Sequence, residues 1–153
     1  MRLPILLSLQ AFQVTILLLH DWIPLGLLND IHAMRRGRTV ASLALGTALS
    51  SIFPVAGFSL SLLYLNPGWP HWLEIYLLAA YGFLFVGELE AWWIPYLFSR
   101  QPRRAAEYEA MYGKTWAFLP PRNGIRINTL HVLLHSATFA TVSILVLVVI
   151  SKM

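Results

Sequence analysis

Arg126-Ile127-Asn128-Thr129-Leu130-His131-Val132-Leu133-Leu134-His135 opens the last apolar run of the chain, which continues to Ile150. The run holds the ~20 mostly apolar residues that a helix needs to cross a ~30 Å hydrocarbon core. Two histidines nevertheless lie four residues apart near its start. On a helix that spacing turns the two side chains only about 40° from one another. Asn128, His131, His135 and Thr138 therefore form one polar stripe, which is expected to face protein rather than lipid.

Three earlier runs have the same character. They extend over about 3–28, 40–65 and 72–98, with 127–150 as the fourth. No alternating pattern of the kind a membrane β-barrel requires is present. The expected fold is all-α, a four-transmembrane-helix bundle forming a single integral membrane domain over 1–153. Of the 153 residues, 58% are hydrophobic and 12% charged, against about 25% charged in soluble domains. The lipid bilayer is thus the expected surroundings. The net charge of +4 does not call for nucleic acid, because the basic residues flank the apolar runs, where topology and anionic headgroups account for them.

The first run exceeds the length of a signal-peptide core and lacks a small-x-small cleavage site, so a retained helix is expected. Gln10, Gln13, Leu17 and His20 share a face, with Asp21 beside it, and Pro24 and Gly26 loosen the end. In the second run Ser42, Gly46 and Ser50 recur every fourth position, the pattern of a close helix–helix contact. Pro54 and Gly57 are expected to kink that helix. Asn66-Pro67-Gly68-Trp69-Pro70 is turn chemistry, and His71 and Glu74 are expected at the membrane rim. Glu88 and Glu90 near the end of the third run point to different faces, and Glu88 is expected to look inward.

Residues 99–126 form the one long connection. Pro102 can start a helix, Arg103 pairs with Glu107 at i,i+4, and Tyr108, Met111 and Tyr112 give it an apolar edge. A short amphipathic interfacial helix is expected, followed by Trp116 and Phe118 as anchors. Asn123-Gly124 turns the chain, and Asn128 or Thr129 caps the last helix. Gly113-Lys114-Thr115 is not a P-loop, since Tyr108 stands where that motif requires glycine. Nine of the 11 Lys and Arg residues fall in the connections after the first and third runs, leaving Arg2 and Lys152. The positive-inside rule then places a multi-pass protein in the cell membrane with basic loops cytoplasmic and both termini outside.

On that topology His20, Asp21, Glu88, His131 and His135 all lie in the cytoplasmic half of the bilayer. Ionisable groups at such depth need partners or a water-filled cavity. The chain has no cysteine, so thiolate ligands and Cys nucleophiles are excluded. One reading takes His131, His135, Glu88 and His20 as ligands of zinc or another divalent metal. Glu88 and Asp21 would then be the catalytic carboxylates, activating water against a membrane-embedded substrate. Haem held between helices is a secondary cofactor reading. The different-class alternatives are a proton or small-solute path, and a non-catalytic subunit whose polar residues join helices. These would involve a homo-oligomer or a membrane protein partner.

Two segments carry a resemblance as a pair: His20-Asp21-Trp22-Ile23-Pro24-Leu25-Gly26-Leu27-Leu28-Asn29-Asp30, and the stretch from Tyr112 through Phe118-Leu119-Pro120-Pro121-Arg122-Asn123-Gly124 to His135. Together with Glu88 to Tyr96 they resemble a group of small bacterial four-helix membrane proteins of unknown function. The resemblance implies a bacterial cytoplasmic membrane protein and brings no reaction with it.

Overall fold

Helices form wherever the apolar runs lie, and the polar connections decide where they stop. The computed structural model describes residues 2–66 and 68–151. Arg2's side chain, Pro67, Lys152 and Met153, together with Met1, lie outside the described residues, and so therefore do the topological weights of Arg2 and Lys152 and the role of Pro67 in its turn. The helices are α1 (Arg2–Leu19), α2 (Ile31–Arg35), α3 (Val40–Leu63), α4 (His71–Glu88), α5 (Ile94–Phe98), α6 (Pro102–Tyr112) and α7 (Thr129–Ile150), with a π-helical turn at Leu89–Trp93. No strand occurs among the described residues. An isolated bridge joins Arg122 and Ile125, closed by Asn123 and Gly124, both at positive φ, as a tight I′-like turn requires.

Three helices are long and apolar enough to cross a membrane: Val40–Leu63, His71–Phe98 and Thr129–Ile150. The first run, expected to be helical to about residue 28, stops at Leu19, and its apolar stretch Leu3–Leu19 is shorter than the others. Pro24 has no N–H to give the His20 carbonyl, Gly26 stands at positive φ, and Asn29 takes up the groups this frees. Its Oδ1 accepts from the Leu25 N–H (2.7 Å), while its Nδ2 donates to the carbonyls of His20 (2.6 Å) and Ile23 (2.9 Å). The Arg35 guanidinium adds bonds to the carbonyls of Asp21 and Trp22. Helix-end carbonyls need such partners once no further helical N–H follows. Asp30 caps α2 by accepting from the Ala33 N–H. The expected basic loop therefore contains a short helix.

α1 packs on α3 and α7, and α4 packs on the same two, closing a ring of four helices. The small-residue row of α3 lies one position away from the one expected. Ser42 and Gly46 are exposed, and the buried face is Leu43, Thr47, Ser51, Pro54, Gly57 and Ser61. One residue is a 100° rotation, and Gly57 packs closely against α4. A β-carbon there would meet Leu77 Cδ2 at 3.0 Å and Tyr81 at 3.6 Å. The outer face of α3 carries Val40, Leu45, Leu49, Ile52 and Phe53, all exposed, the face a lipid-bathed helix presents. Pro54 lies inside the helix.

The third run is not one regular helix. Pro95 has no N–H to give the preceding turn, and the chain widens to a π turn in which the Ile94 N–H bonds the Leu89 carbonyl. Pro95 leaves carbonyls of the preceding turn without a helical donor. Tyr108 Oη donates to the Ala91 carbonyl (2.8 Å) and Arg104 to that of Glu90 (3.0 Å). The two donors sit four residues apart on one face of α6, so the proline docks that helix.

Two apolar clusters hold the molecule. Leu6, Leu73, Leu77, Tyr81 and Leu145 fill the bundle at one end. Met34, Trp92, Tyr96, Tyr112, Ile125, Ile127 and Val132 lie beneath the connections at the other. A layer of buried polar side chains separates them.

Candidate functional site

That polar layer begins at the second cluster. α7 starts at Thr129 because Asn128 caps it: Asn128 Oδ1 accepts the backbone N–H of His131 (3.1 Å). The same oxygen contacts His131 Nδ1 at 2.5 Å, and Asn128 Nδ2 donates to the Leu28 carbonyl (3.1 Å). The amide orientation is thereby fixed, with its oxygen toward His131. Nδ1 of His131 must carry the hydrogen, which leaves Nε2 with its lone pair.

His135 has the opposite arrangement. The Trp93 indole N–H, which can only donate, bonds His135 Nδ1 at 3.1 Å. Nδ1 is therefore the acceptor and Nε2 carries the hydrogen in the neutral ring. The two imidazole centroids lie 5.8 Å apart. One side of His131 is covered by the Trp92 ring at 4.2 Å, and the Tyr112 ring meets it edge-on at 5.0 Å. Neither tryptophan is among the site residues expected from the sequence. Pro95 is the signal that could have found them, since the π turn it induces carries both Trp92 and Trp93.

His20 and Asp21 form a pair with each other. His20 Nε2 lies 3.2 Å from Asp21 Oδ1, and Nδ1 bonds the Ile16 carbonyl at 2.8 Å. Both ring nitrogens are thus occupied, although the His20 ring stands 6.1 Å from that of His131.

Glu88 is buried, whereas Glu90 is exposed. The Glu88 carboxyl lines the same cavity as the histidine rings and is hydrogen-bonded to α7. Thr138 Oγ1 lies 2.8 Å from Glu88 Oε1 and 2.9 Å from Gln13 Oε1. Gln13 Nε2 donates to Thr141 Oγ1 (2.8 Å) and to the Leu9 carbonyl (3.0 Å). One layer thus ties α1, α4 and α7 together. Deeper still are Gln10 and Tyr81, both fully buried, with the Gln10 amide beside the Tyr81 hydroxyl. Glu74, expected at a rim, is 1% exposed, with the His71 imidazole 3.6 Å from its carboxylate.

A cavity of about 430 Å³ joins these groups. His20, Asp21, His131, His135 and Glu88 all line it, with Arg38 and Tyr112 at its loop end. Its wall includes Gly46 of α3 with Phe83 and Gly87 of α4, all exposed on the outer surface. α3 and α4 touch at Gly57 and Leu77, whereas a β-carbon at Gly46 or Gly87 would meet nothing within 4 Å, and these exposed wall residues put the cavity's mouth at the side, between the two helices. Tyr112 is held as a neutral phenol. Burial raises its pKa above the ordinary 10.0, and the Asp21 carboxylate and Tyr108 add to the effect more than Arg38 opposes it.

No family model, curated protein or solved structure matches the chain. The two segments that carry the resemblance are bonded to each other: the Trp116 N–H donates to the Leu27 carbonyl (2.7 Å), and Asn128 donates to that of Leu28. No group of three or more His, Asp or Glu among the described residues is arranged to hold a metal ion. The reasons are local. Trp93 occupies Nδ1 of His135, Asp21 and Ile16 occupy His20, and Glu88 is turned to Thr138. Of the three histidines, His131 alone keeps an imidazole lone pair open, at Nε2.

Proposed function

We propose that the chain is a four-span protein of the cytoplasmic membrane, whose lateral cavity receives the polar end of a membrane-resident amphiphile. His131 and His135 serve there as an acid–base pair. α1, with 18 residues, covers about 27 Å at ~1.5 Å per residue, close to the ~30 Å of the hydrocarbon core, and is the fourth span. The basic connections face the cytoplasm and both termini lie outside. α6 rests at that surface with Trp116 and Phe118, each 53% exposed, among the headgroups.

The observation that carries this reading is the pair of opposite tautomers. Asn128 leaves His131 with an acceptor, and Trp93 leaves His135 with a donor, at neighbouring positions of one cavity. General acid–base work needs such a pair within reach of one substrate. The cavity supplies a mixed lining: apolar Leu17, Phe83 and Leu84 on one side, polar groups on the other. The sideways mouth suits entry from the bilayer, and Arg38 at the loop end suits an anionic headgroup. Chemistry assigned by sequence to Glu88 and Asp21 moves, on this reading, to the histidines.

The test is to purify the full chain in mild detergent and identify retained amphiphiles by mass spectrometry. Gly87→Leu is the blocking variant, because a β-carbon at Gly87 meets nothing within 4 Å and the side chain would fill the mouth without clash. Wild type should retain a defined amphiphile near one per chain, and Gly87→Leu and His131→Ala should lose it. A wild-type profile identical to that of Gly87→Leu would refute the reading and leave the polar layer a device for helix association.

A further inference from the structure

The Glu88–Thr138 contact has a hydrogen too few. Thr138 Oγ1 carries one hydrogen and lies within 3.1 Å of three oxygens: Gln13 Oε1, Glu88 Oε1 and the Leu134 carbonyl. Gln13 cannot reverse its amide, because Nε2 already donates to Leu9 and Thr141. Its oxygen is an acceptor, as is the Leu134 carbonyl. If Glu88 were a carboxylate, one hydroxyl hydrogen would face three acceptors, and at least one oxygen–oxygen contact near 2.8–2.9 Å would stand without a hydrogen between its atoms. Such a contact is repulsive.

We infer that Glu88 carries a proton on Oε1 and donates it to Thr138, whose own hydrogen goes on to Gln13. Thr138 Oγ1 and Gln13 Oε1 then each have a hydrogen between them and their neighbour, and the chain runs in one direction: Glu88 to Thr138 to Gln13 Oε1, with Gln13 Nε2 donating to Thr141. Glu88 Oε2 is buried and without a partner, which a neutral acid tolerates far better than a carboxylate does. The surroundings agree. Gln13 of α1 shares Thr138 with Glu88, and His20, Asp21, Arg38, Tyr112, His131 and His135 line the same cavity. No cation is in salt-bridge contact with Glu88 among the described residues.

This makes Glu88 a proton store at the inner wall of the cavity. When a base in the cavity takes the proton, Glu88 becomes a carboxylate and the Thr138 hydrogen swings from Gln13 to Glu88 Oε1. The open Nε2 of His131 is the built-in acceptor. His135 is not one, because a second ring hydrogen would collide with the indole N–H of Trp93. The inference rests on the oxygens around Thr138 and not on occupancy of the cavity, so it and the amphiphile reading fail independently.

Infrared spectroscopy of the full chain in detergent at neutral pH tests it. Wild type should show a protonated-carboxyl carbonyl stretch that shifts in D2O and that Glu88→Gln removes. Thr138→Val, which takes away the acceptor of that proton, should move the band to higher frequency, while Thr138→Ser should leave it in place. Equal carboxyl bands in wild type and Glu88→Gln would overturn the inference. If Glu88→Gln fails to fold, the Thr138 pair decides: no difference between Thr138→Val and wild type overturns it.

Discussion

Replacing Thr138 by valine keeps the shape of the side chain and removes one oxygen. Two buried groups on other helices then lose their contact, the acceptor Gln13 Oε1 on α1 and the Glu88 carboxyl on α4. Interhelical hydrogen bonds in membrane proteins average ~0.6 kcal/mol and reach ~1.7, and an orphaned buried polar group costs ~1–3 kcal/mol. Two contacts together predict a loss of about 1–3 kcal/mol, a factor of roughly 5 to 150 in the unfolding equilibrium. Thr141→Val removes only an acceptor for Gln13 Nε2, whose bond to Leu9 remains. It should cost about 0.6 kcal/mol. Ser143→Ala loses a bond within its own helix and is the control. The assay is unfolding in mixed micelles of rising SDS fraction, followed by circular dichroism. A Thr138→Val midpoint indistinguishable from that of Ser143→Ala, or a Thr138→Ser loss as large as the valine's, would refute the account of the polar layer.

Four further outcomes follow from the same geometry. Asn128→Ala should cost about 1 kcal/mol through loss of the cap and release His131 into a mixture of tautomers, seen by nitrogen NMR of labelled histidine; Asn128→Asp should keep the cap. Trp93→Phe should leave stability nearly unchanged in comparison and allow His135 to populate its second tautomer in the same spectra, and an unchanged His135 signal would count against the assigned bond. Gly57→Ala should destabilise by about 1–3 kcal/mol, since its β-carbon meets Leu77 at 3.0 Å and overpacking has that cost, whereas Gly46→Ala should be neutral or slightly stabilising in the same SDS titration. Stability should fall as pH rises through about 10, because the unfolded Tyr112 ionises there and the folded one, raised by burial, does not; Tyr112→Phe should flatten that decline.

The apolar runs show where helices lie because the requirement to satisfy backbone groups in hydrocarbon leaves few alternatives. The spacing of Asn128, His131, His135 and Thr138 likewise corresponds to a stripe that is buried along its length. The end of α1 was legible only in part: Pro24 and Gly26 mark a break, but the reach of Asn29 and Arg35 back to carbonyls at 20–23, which holds the chain after Leu19, is a contact that composition does not reveal. The rotation of α3 was misread by one position because small residues permit close approach without demanding it. Ser42 and Gly46 offered the same pattern as the row that is used. The tautomers of His131 and His135 were out of reach, because they depend on which way one amide and one indole point. Trp93 carries no mark in the sequence distinguishing a hydrogen-bond donor from a headgroup anchor.

The widened turn at Leu89–Trp93 behaves as a shift of phase. Residues before it follow one angular count around the bundle, and residues after it follow another, about 100° ahead. Removing a single residue there, Ala91 for instance, would bring the helix back to one count, swing Pro95 and Tyr96 out from beneath Ile125 and Ile127, and withdraw the carbonyls that hold Tyr108 and Arg104. A length change of one residue, harmless in most surface connections, would here unfasten α6 and the indole covering His131 in the same stroke. The aromatic lid over the histidines exists because the helix beneath it counts one residue more than a regular span would.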